Sequence, residues 1–251
     1  MRLRYRILFT ATLIFLLASL AANLYLFNQG RRYYLELNET RLDPLGLKQF
    51  PAQTATNESQ QPVILLYGDS RAMSWPYPTD FEGATFINRG LGAQTTSQSW
   101  LRFDYHAVLL RPQIIILQIG INDLKTIPLF PEREQSLIET CRENIRKIVE
   151  AATDLGATVV LTTIFPVGDV PLQRRFFWSD AVKTAVDTVN NYLFSLASDN
   201  VIIFDAYSIL ADNDSLMRDE YSADELHINP AGYAALNQSL VPILKTLMET
   251  R

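Results

Sequence analysis

The sequence predicts an α/β domain built on a doubly wound, five-stranded parallel sheet and preceded by one N-terminal transmembrane helix. Short continuous runs of apolar, mostly β-branched residues are typical of strands that are covered on both faces. The segments between them place apolar residues at helical spacing, and this alternation is typical of doubly wound sheets. The five predicted strands span residues 63–67, 85–87, 114–119, 158–164 and 201–204.

Three of the predicted helices have clear sequence signals. An apolar stripe over residues 137–155 is followed by Gly156, a common stop signal. A second stripe covers residues 182–196. The last helix is predicted to begin after Asn229 as its cap, and Pro242 is predicted to kink or split it.

An apolar segment without charges covers residues 7–27, after a basic N-terminus. A membrane-spanning helix needs about 20 mostly apolar residues, so this segment is long enough to cross a bilayer. A cleaved signal peptide, with its cleavage site near Ala21, is the alternative. Because the apolar run continues past that site, an uncleaved signal anchor is favoured.

The apolar segment predicts a single-pass protein of a bacterial cytoplasmic membrane, with its folded domain on the periplasmic or extracytoplasmic side. The predicted organisation is an anchor over residues 1–27, a juxtamembrane segment with a polar linker over 28–61, and the folded domain over 62–251. Secretion after cleavage near Ala21 is the alternative placement.

Composition excludes several classes of function. The chain has 251 residues, a formal net charge of -5, two histidines and one cysteine. An acidic chain lacks the excess of Lys and Arg that neutralises phosphates, so no nucleic-acid partner is expected. One cysteine excludes an internal disulfide and a cysteine-rich metal cluster, and two histidines exclude a multi-histidine zinc site.

Polar residues and glycines follow the first three predicted strands. In open α/β sheets, ligands bind at the carboxyl ends of the strands, so these segments are candidates for the functional site. They are residues 68–71 (Gly-Asp-Ser-Arg), 88–92 (Asn-Arg-Gly-Leu-Gly) and 120–123 (Gly-Ile-Asn-Asp), and residues 224–227 (Asp-Glu-Leu-His) precede the last helix.

Together these segments predict a site for acyl transfer. A serine hydroxyl becomes a nucleophile when a base takes its proton, and an imidazole can do so near neutral pH, so Ser70 and His227 form a candidate pair. Asp224, three residues upstream, is the candidate partner for the far ring nitrogen. The predicted oxyanion donors are the backbone N–H groups of Ser70 and Gly90 and the side-chain amide of Asn122.

The same segments resemble the sequence blocks of the SGNH hydrolases, also called GDSL-type esterases and lipases, a family named for a Ser, a Gly, an Asn and a His. The resemblance covers the chain from about residue 63 to the C-terminus. The chain departs from the family at Arg71, where Leu is frequent, and at Gln94, where an acid is frequent. The resemblance implies a flavodoxin-like sheet and a serine esterase mechanism that uses neither a metal nor another cofactor. It is to a lysophospholipase-like, membrane-anchored bacterial member of the family.

The implied function is hydrolysis of acyl or acetyl esters, with a lysophospholipid or an O-acetylated envelope glycan as substrate. The alternatives are an O-acyltransferase acting on a cell-envelope polymer and a catalytically idle scaffold that binds glycan or lipid. The expected partners are the ester substrate and the membrane, and the oligomeric state is left open. Candidate pocket residues are Arg71 and Trp75 near the serine, and Phe177 and Trp178 in the long loop after the fourth strand.

Overall fold

The computed structural model describes residues 2–50, 61–79 and 81–249. The chain divides into two compact units, residues 1–46 and residues 47–251.

The first unit consists mainly of one helix, α1 (Arg2–Leu42), of 41 residues. The segment predicted to be juxtamembrane begins inside this helix, which continues without a break to Leu42. Its most apolar 18-residue window has a mean hydropathy of 2.2, and none of that window is buried. In the described part of the chain, α1 is the one helix long and apolar enough to cross a membrane, and a signal sequence would have the same features.

The second unit contains a five-stranded parallel sheet with helices on both faces. This confirms the predicted α/β fold, and its strand order, β2-β1-β3-β4-β5, is that of flavodoxin-like folds. The strands are β1 (Val63–Gly68), β2 (Thr85–Gly90), β3 (Ile114–Gln118), β4 (Thr158–Thr162) and β5 (Val201–Phe204). The helices are α2 (Ser70–Met73), α3 (Thr96–Leu101), α4 (Phe103–His106), α5 (Ile121–Leu124), α6 (Glu134–Asp154), α7 (Ala181–Phe194), α8 (Ala206–Leu210) and α9 (Pro230–Glu249).

Both faces of the sheet are covered by a hydrophobic core. Successive side chains of a strand point to opposite faces, so each strand contributes to both cores. In β1, Leu65 and Tyr67 face a core that includes the buried residues of α6 and α7. Ile64 and Leu66 face a second core, which includes buried residues of α8 and α9. The continuous apolar runs in the sequence therefore reflect burial on two sides.

The long helices follow the predicted apolar stripes, with one difference. In α6, Cys141 and Ile145 are fully buried, and Gly156 follows the helix with a left-handed φ of 79°. The Asn229 side chain accepts the backbone N–H of Ala231, as expected of a cap at the start of α9. Pro242 does not split the helix, because α9 continues to Glu249. Proline has no N–H for the carbonyl of Gln238, and Gln238 is exposed, so water can bond that carbonyl.

Helix α2 crosses β2 closely at Gly90, and this contact yields a testable prediction. A Cβ atom on Gly90 would lie 2.2 Å from the backbone nitrogen of Met73, which cannot move alone. Such overpacking typically costs about 1–3 kcal/mol, so we expect Gly90→Ala to lower the Tm by roughly 3–10 °C.

Thermal unfolding of the full-length chain in a non-ionic detergent measures this effect. Gly92→Ala is the matched control, because its added Cβ would meet only Met73 Cε, at 3.7 Å. Equal Tm values for the two variants would contradict the proposed crowding at Gly90.

Candidate active site

The candidate site lies at the carboxyl edge of the sheet, where β1 runs between β2 and β3. Ser70 begins α2 directly after β1, and Asn122 lies in α5 directly after β3. Asp224 and His227 lie in the segment that precedes α9, residues 222–229, which we call the His227 loop. Strand order therefore brings together segments that are far apart along the chain.

The turn between β1 and α2 fixes the position of Ser70. Gly68 has a φ of 152°, and a Cβ there would lie 1.7 Å from the carbonyl oxygen of Gln118 in β3. Asp69 is fully buried and caps α2, because its side chain accepts the backbone N–H of Arg71 at 2.9 Å. The close approach to β3 and the cap leave Ser70 as the first residue of the helix.

The structure brings the predicted nucleophile, base and acid into contact. Ser70 Oγ lies 3.0 Å from Nε2 of His227. The opposite ring nitrogen, Nδ1, lies 2.9 Å from Asp224 Oδ2 and 3.0 Å from Oδ1. A carboxylate on Nδ1 selects the tautomer in which Nε2 can accept the serine proton.

Asp224 is held in this position by its own turn. Its Oδ1 accepts the backbone N–H groups of Leu226 at 2.8 Å and His227 at 2.7 Å. Partial burial raises the pKa of the Asp224 carboxyl, but the hydrogen bonds from His227 and from these two backbone groups together lower that pKa below its ordinary value. The carboxyl is thus ionised at neutral pH and can stabilise a positively charged imidazole.

Two of the three predicted oxyanion donors face the site. Asn122 is buried, and its Nδ2 donates one hydrogen to the carbonyl of Gln94 at 3.0 Å, which fixes the amide and leaves its second hydrogen for a ligand. The backbone N–H of Ser70 has no acceptor in the described part of the chain. Helix starts leave such groups unpaired, so both donors are available to a bound oxygen.

The structure differs from the prediction at Gly90. The backbone N–H of Gly90 donates to Asn88 Oδ1 at 2.8 Å and is therefore not available to a ligand. The predicted strand ended at Ile87, whereas β2 continues to Gly90. Gly90 is therefore part of the strand, and the loop that faces the site begins after it. Ala93 lines the site instead, with a left-handed φ of 59° and an N–H that has no acceptor among the described residues.

The pocket at Ser70 is small, about 120 Å³. Of the four predicted pocket residues, Arg71 alone lines it. Trp75 is buried and donates its indole N–H to Asn237, Phe177 is 65% exposed, and Trp178 lines a separate cavity of about 340 Å³. The three aromatic residues were predicted to line the pocket from their type and their place in the sequence, and these do not determine which surface a side chain faces. The lining residues are Ser70, Arg71, Ala93, Ile121, Asn122, Lys125, Leu226 and His227.

Arg71 connects the nucleophile to the His227 loop. Its guanidinium is fully buried, and Nε donates to the carbonyl of Leu226, next to His227, at 2.7 Å. Nη1 donates to the carbonyl of Phe165 at 3.2 Å. Burial lowers the pKa of Arg71 to about 10, so the side chain is still charged at neutral pH.

No group of three His, Cys, Asp or Glu side chains placed to hold a metal ion occurs within the described residues. The groups that the site brings together are a hydroxyl, an imidazole, a carboxylate and N–H donors, which are the groups that acyl transfer by a serine uses.

Sequence comparison identifies the family. A model of the GDSL-like lipase/acylhydrolase family matches residues 55–235, which is more than half of the chain. The chain belongs to this family, as its motifs suggested. It is accordingly a carboxylic ester hydrolase of the SGNH/GDSL type. A search of curated proteins gives no sequence match.

Several solved structures share the fold. A protein from Bacteroides fragilis NCTC 9343 is 23% identical with a TM-score of 0.62, over 78% of this chain and 92% of its own. A GDSL-like lipase from Bacteroides thetaiotaomicron VPI-5482 is 18% identical with a TM-score of 0.62, over 82% and 99%. The lipase/acylhydrolase from Enterococcus faecalis is 21% identical with a TM-score of 0.54, over 74% and 96%.

Asp123, next to Asn122, is a buried carboxyl that should make stability depend on pH. Burial raises its pKa from the ordinary 3.8 to about 6, although hydrogen bonds from the Thr96 N–H and hydroxyl lower it. Between these values the folded state binds one more proton than the unfolded state, so the free energy of unfolding falls as the pH rises. Above pH 6 the loss should reach about 3 kcal/mol.

Asp123→Asn should remove this part of the pH dependence. Denaturant unfolding of the full-length chain at pH 4.5, 6 and 7 measures it, and Asp104→Asn, which changes an exposed carboxylate, is the control. The same slope in wild type and Asp123→Asn would show that the carboxyl does not titrate in this range.

Proposed function

We propose that the protein is a serine esterase that hydrolyses short acyl esters, with Ser70 as nucleophile, His227 as general base and acid, and Asp224 as its partner. The observation that carries this proposal is the 3.0 Å contact between Ser70 Oγ and His227 Nε2, combined with the Asp224 carboxylate on Nδ1. A hydroxyl, an imidazole and a carboxylate in this order form the arrangement that activates serine for attack on an ester.

In the first half of the reaction, Ser70 Oγ attacks the ester carbonyl carbon while its proton passes to His227 Nε2. The carbonyl oxygen becomes an oxyanion, which accepts hydrogen bonds from the backbone N–H groups of Ser70 and Ala93 and from Asn122 Nδ2. The intermediate then collapses, the bond to the alcohol oxygen breaks, and His227 returns its proton to that oxygen. The acyl group remains on Ser70 as an ester.

In the second half, His227 takes a proton from water, and the resulting hydroxide oxygen attacks the acyl carbon. The same donors hold the second oxyanion. Its collapse returns the proton to Ser70 Oγ and releases the carboxylic acid. Release of free acid without a sugar acceptor distinguishes this hydrolysis from acyl transfer to an envelope polymer.

The size of the pocket favours a short acyl group. Sites that enclose a drug-sized ligand usually occupy about 300–1,000 Å³, whereas the pocket at Ser70 occupies about 120 Å³. An acetyl group suits this volume better than a long acyl chain. Of the two substrate classes that the sequence suggested, an O-acetylated envelope glycan is therefore the better match.

We also propose that α1 is an uncleaved anchor, that the hydrolase domain begins near residue 62, and that this domain lies on the extracytoplasmic side of a bacterial membrane. The support is the length of α1 and its apolar character beyond the cleavage site near Ala21. N-terminal sequencing of the purified protein tests the anchor, because a chain that begins after Ala21 would contradict it.

Substitution of the nucleophile tests the proposed activity. Ser70→Ala should abolish labelling by a fluorophosphonate probe and lower the hydrolysis of p-nitrophenyl acetate by about 10³-fold or more. The reason is that no other hydroxyl is in contact with the His227 ring among the described residues. Ser136→Ala, on the exposed face of α6, is the control and should retain both signals. Labelling that persists in Ser70→Ala would assign the nucleophile elsewhere.

A further inference from the structure

Lys125 lies at the edge of the Ser70 pocket and has no part in the mechanism above. It caps the C-terminal end of α5, three residues after Asn122, and it lines the pocket together with Ser70 and His227. The side chain is half-buried. Its position places a flexible cation beside the groups that hold the reacting ester.

The ammonium group of Lys125 has no hydrogen bond or ion pair with any residue in the described part of the chain. Burial lowers the pKa of Lys125, since it removes part of the water that would solvate the charge. A cation that is partly desolvated and unpaired gains most from an anionic ligand.

Two carboxylates act electrostatically on Lys125, and each has hydrogen bonds with other groups. Asp69 and Asp224 both raise the pKa of Lys125 electrostatically. Asp69 caps α2 through Arg71 N, however, and Asp224 binds the His227 ring and two backbone N–H groups. Neither of them makes an ion pair with Lys125.

The charged residues that line the pocket are both cations. They are Lys125 and Arg71, and no Asp or Glu is among the lining residues. Arg174 also acts on Lys125 as a nearby positive charge. A neutral ester would leave the Lys125 ammonium group without an ionic partner. An ester with a carboxylate or phosphate close to its carbonyl would form an ion pair with it.

We propose that Lys125 forms an anion subsite that selects esters carrying a negatively charged group next to the scissile bond, an inference that rests on the proposed esterase function. The charge can belong to the alcohol part, as in an acidic acetylated glycan, or to the acyl part. Both place an anion against the same ammonium group, and two pairs of esters distinguish them.

The first pair is p-nitrophenyl acetate and 3-carboxy-4-nitrophenyl acetate, which differ by a carboxylate on the alcohol part. The second is ethyl butyrate and monoethyl succinate, which differ by a carboxylate on the acyl part. The measurement uses the full-length chain in a non-ionic detergent, and each kcat/KM is divided by the rate constant of hydroxide-catalysed hydrolysis of that ester. The readout is the ratio of the anionic to the neutral ester within a pair.

A charge-assisted contact predicts a ratio of about ten for the wild type in at least one pair, falling as salt is added. Lys125→Met and Lys125→Gln should both bring that ratio to about one, and Lys125→Arg should keep most of it. Lys245→Met, which removes an exposed lysine of α9, is the matched control and should keep the wild-type ratio. Either neutral variant suffices if the other does not fold.

Three results would overturn the proposal. They are a wild-type ratio near one in both pairs, a ratio that survives Lys125→Met and Lys125→Gln, and an equal loss on neutral and anionic esters, which would instead place Lys125 at the oxyanion. Failure of the proposed function looks different, because the wild type would then hydrolyse none of the four esters.

Discussion

The geometry of the candidate site depends on the buried guanidinium of Arg71. This one side chain follows the nucleophile in sequence and binds the carbonyl of Leu226, the residue before His227. Its own backbone carbonyl accepts the hydroxyl of Tyr233 in α9 at 2.9 Å. A buried cation must keep its hydrogen bonds, so the segments that carry Ser70 and His227 cannot separate without exposing or orphaning this charge. A Leu side chain at this position could pack in the same space but could not bind two carbonyls.

A second buried arginine organises the opposite side of the site. Arg102 donates to the Gln94 side chain and, at 2.9 Å, to the carbonyl of Gly68 at the end of β1. Its guanidinium lies over the ring of Tyr67, 4.3 Å from the centroid. Because the backbone carbonyl of Gln94 in turn accepts the Asn122 amide, Arg102 supports the loop that carries Ala93 and positions the Asn122 side chain. The nucleophile thus lies between two fixed segments, each held by a cation that binds backbone or amide oxygens.

The sequence predicts the centre of the sheet well because β1, β3 and β4 are buried on both faces, which leaves a continuous apolar run as their signature. It predicts the contact of Ser70 with His227 because both flank strand or helix ends whose place in the sheet follows from topology. It fails at Gly90, since β2 extends past the apolar run through Asn88 and Arg89, and polar residues of a strand carry no such signature. It also could not show the role of Arg71, because burial of a charged side chain depends on carbonyls from distant segments.

The long loop after β4, residues 163–180, supports the His227 loop and does not line the Ser70 pocket. Phe176 and Phe177 in this loop point to solvent, 86% and 65% exposed, and do not line the Ser70 pocket. Arg174 forms an ion pair with Glu225, whose side chain is 2% exposed, and the Gly168 N–H donates to the Glu225 carbonyl at 3.0 Å. Since Glu225 lies between Asp224 and His227, these contacts hold the His227 loop from outside while Arg71 holds it from inside. A base that is restrained from both sides loses little conformational freedom on reaching the serine, which is the condition for efficient proton transfer.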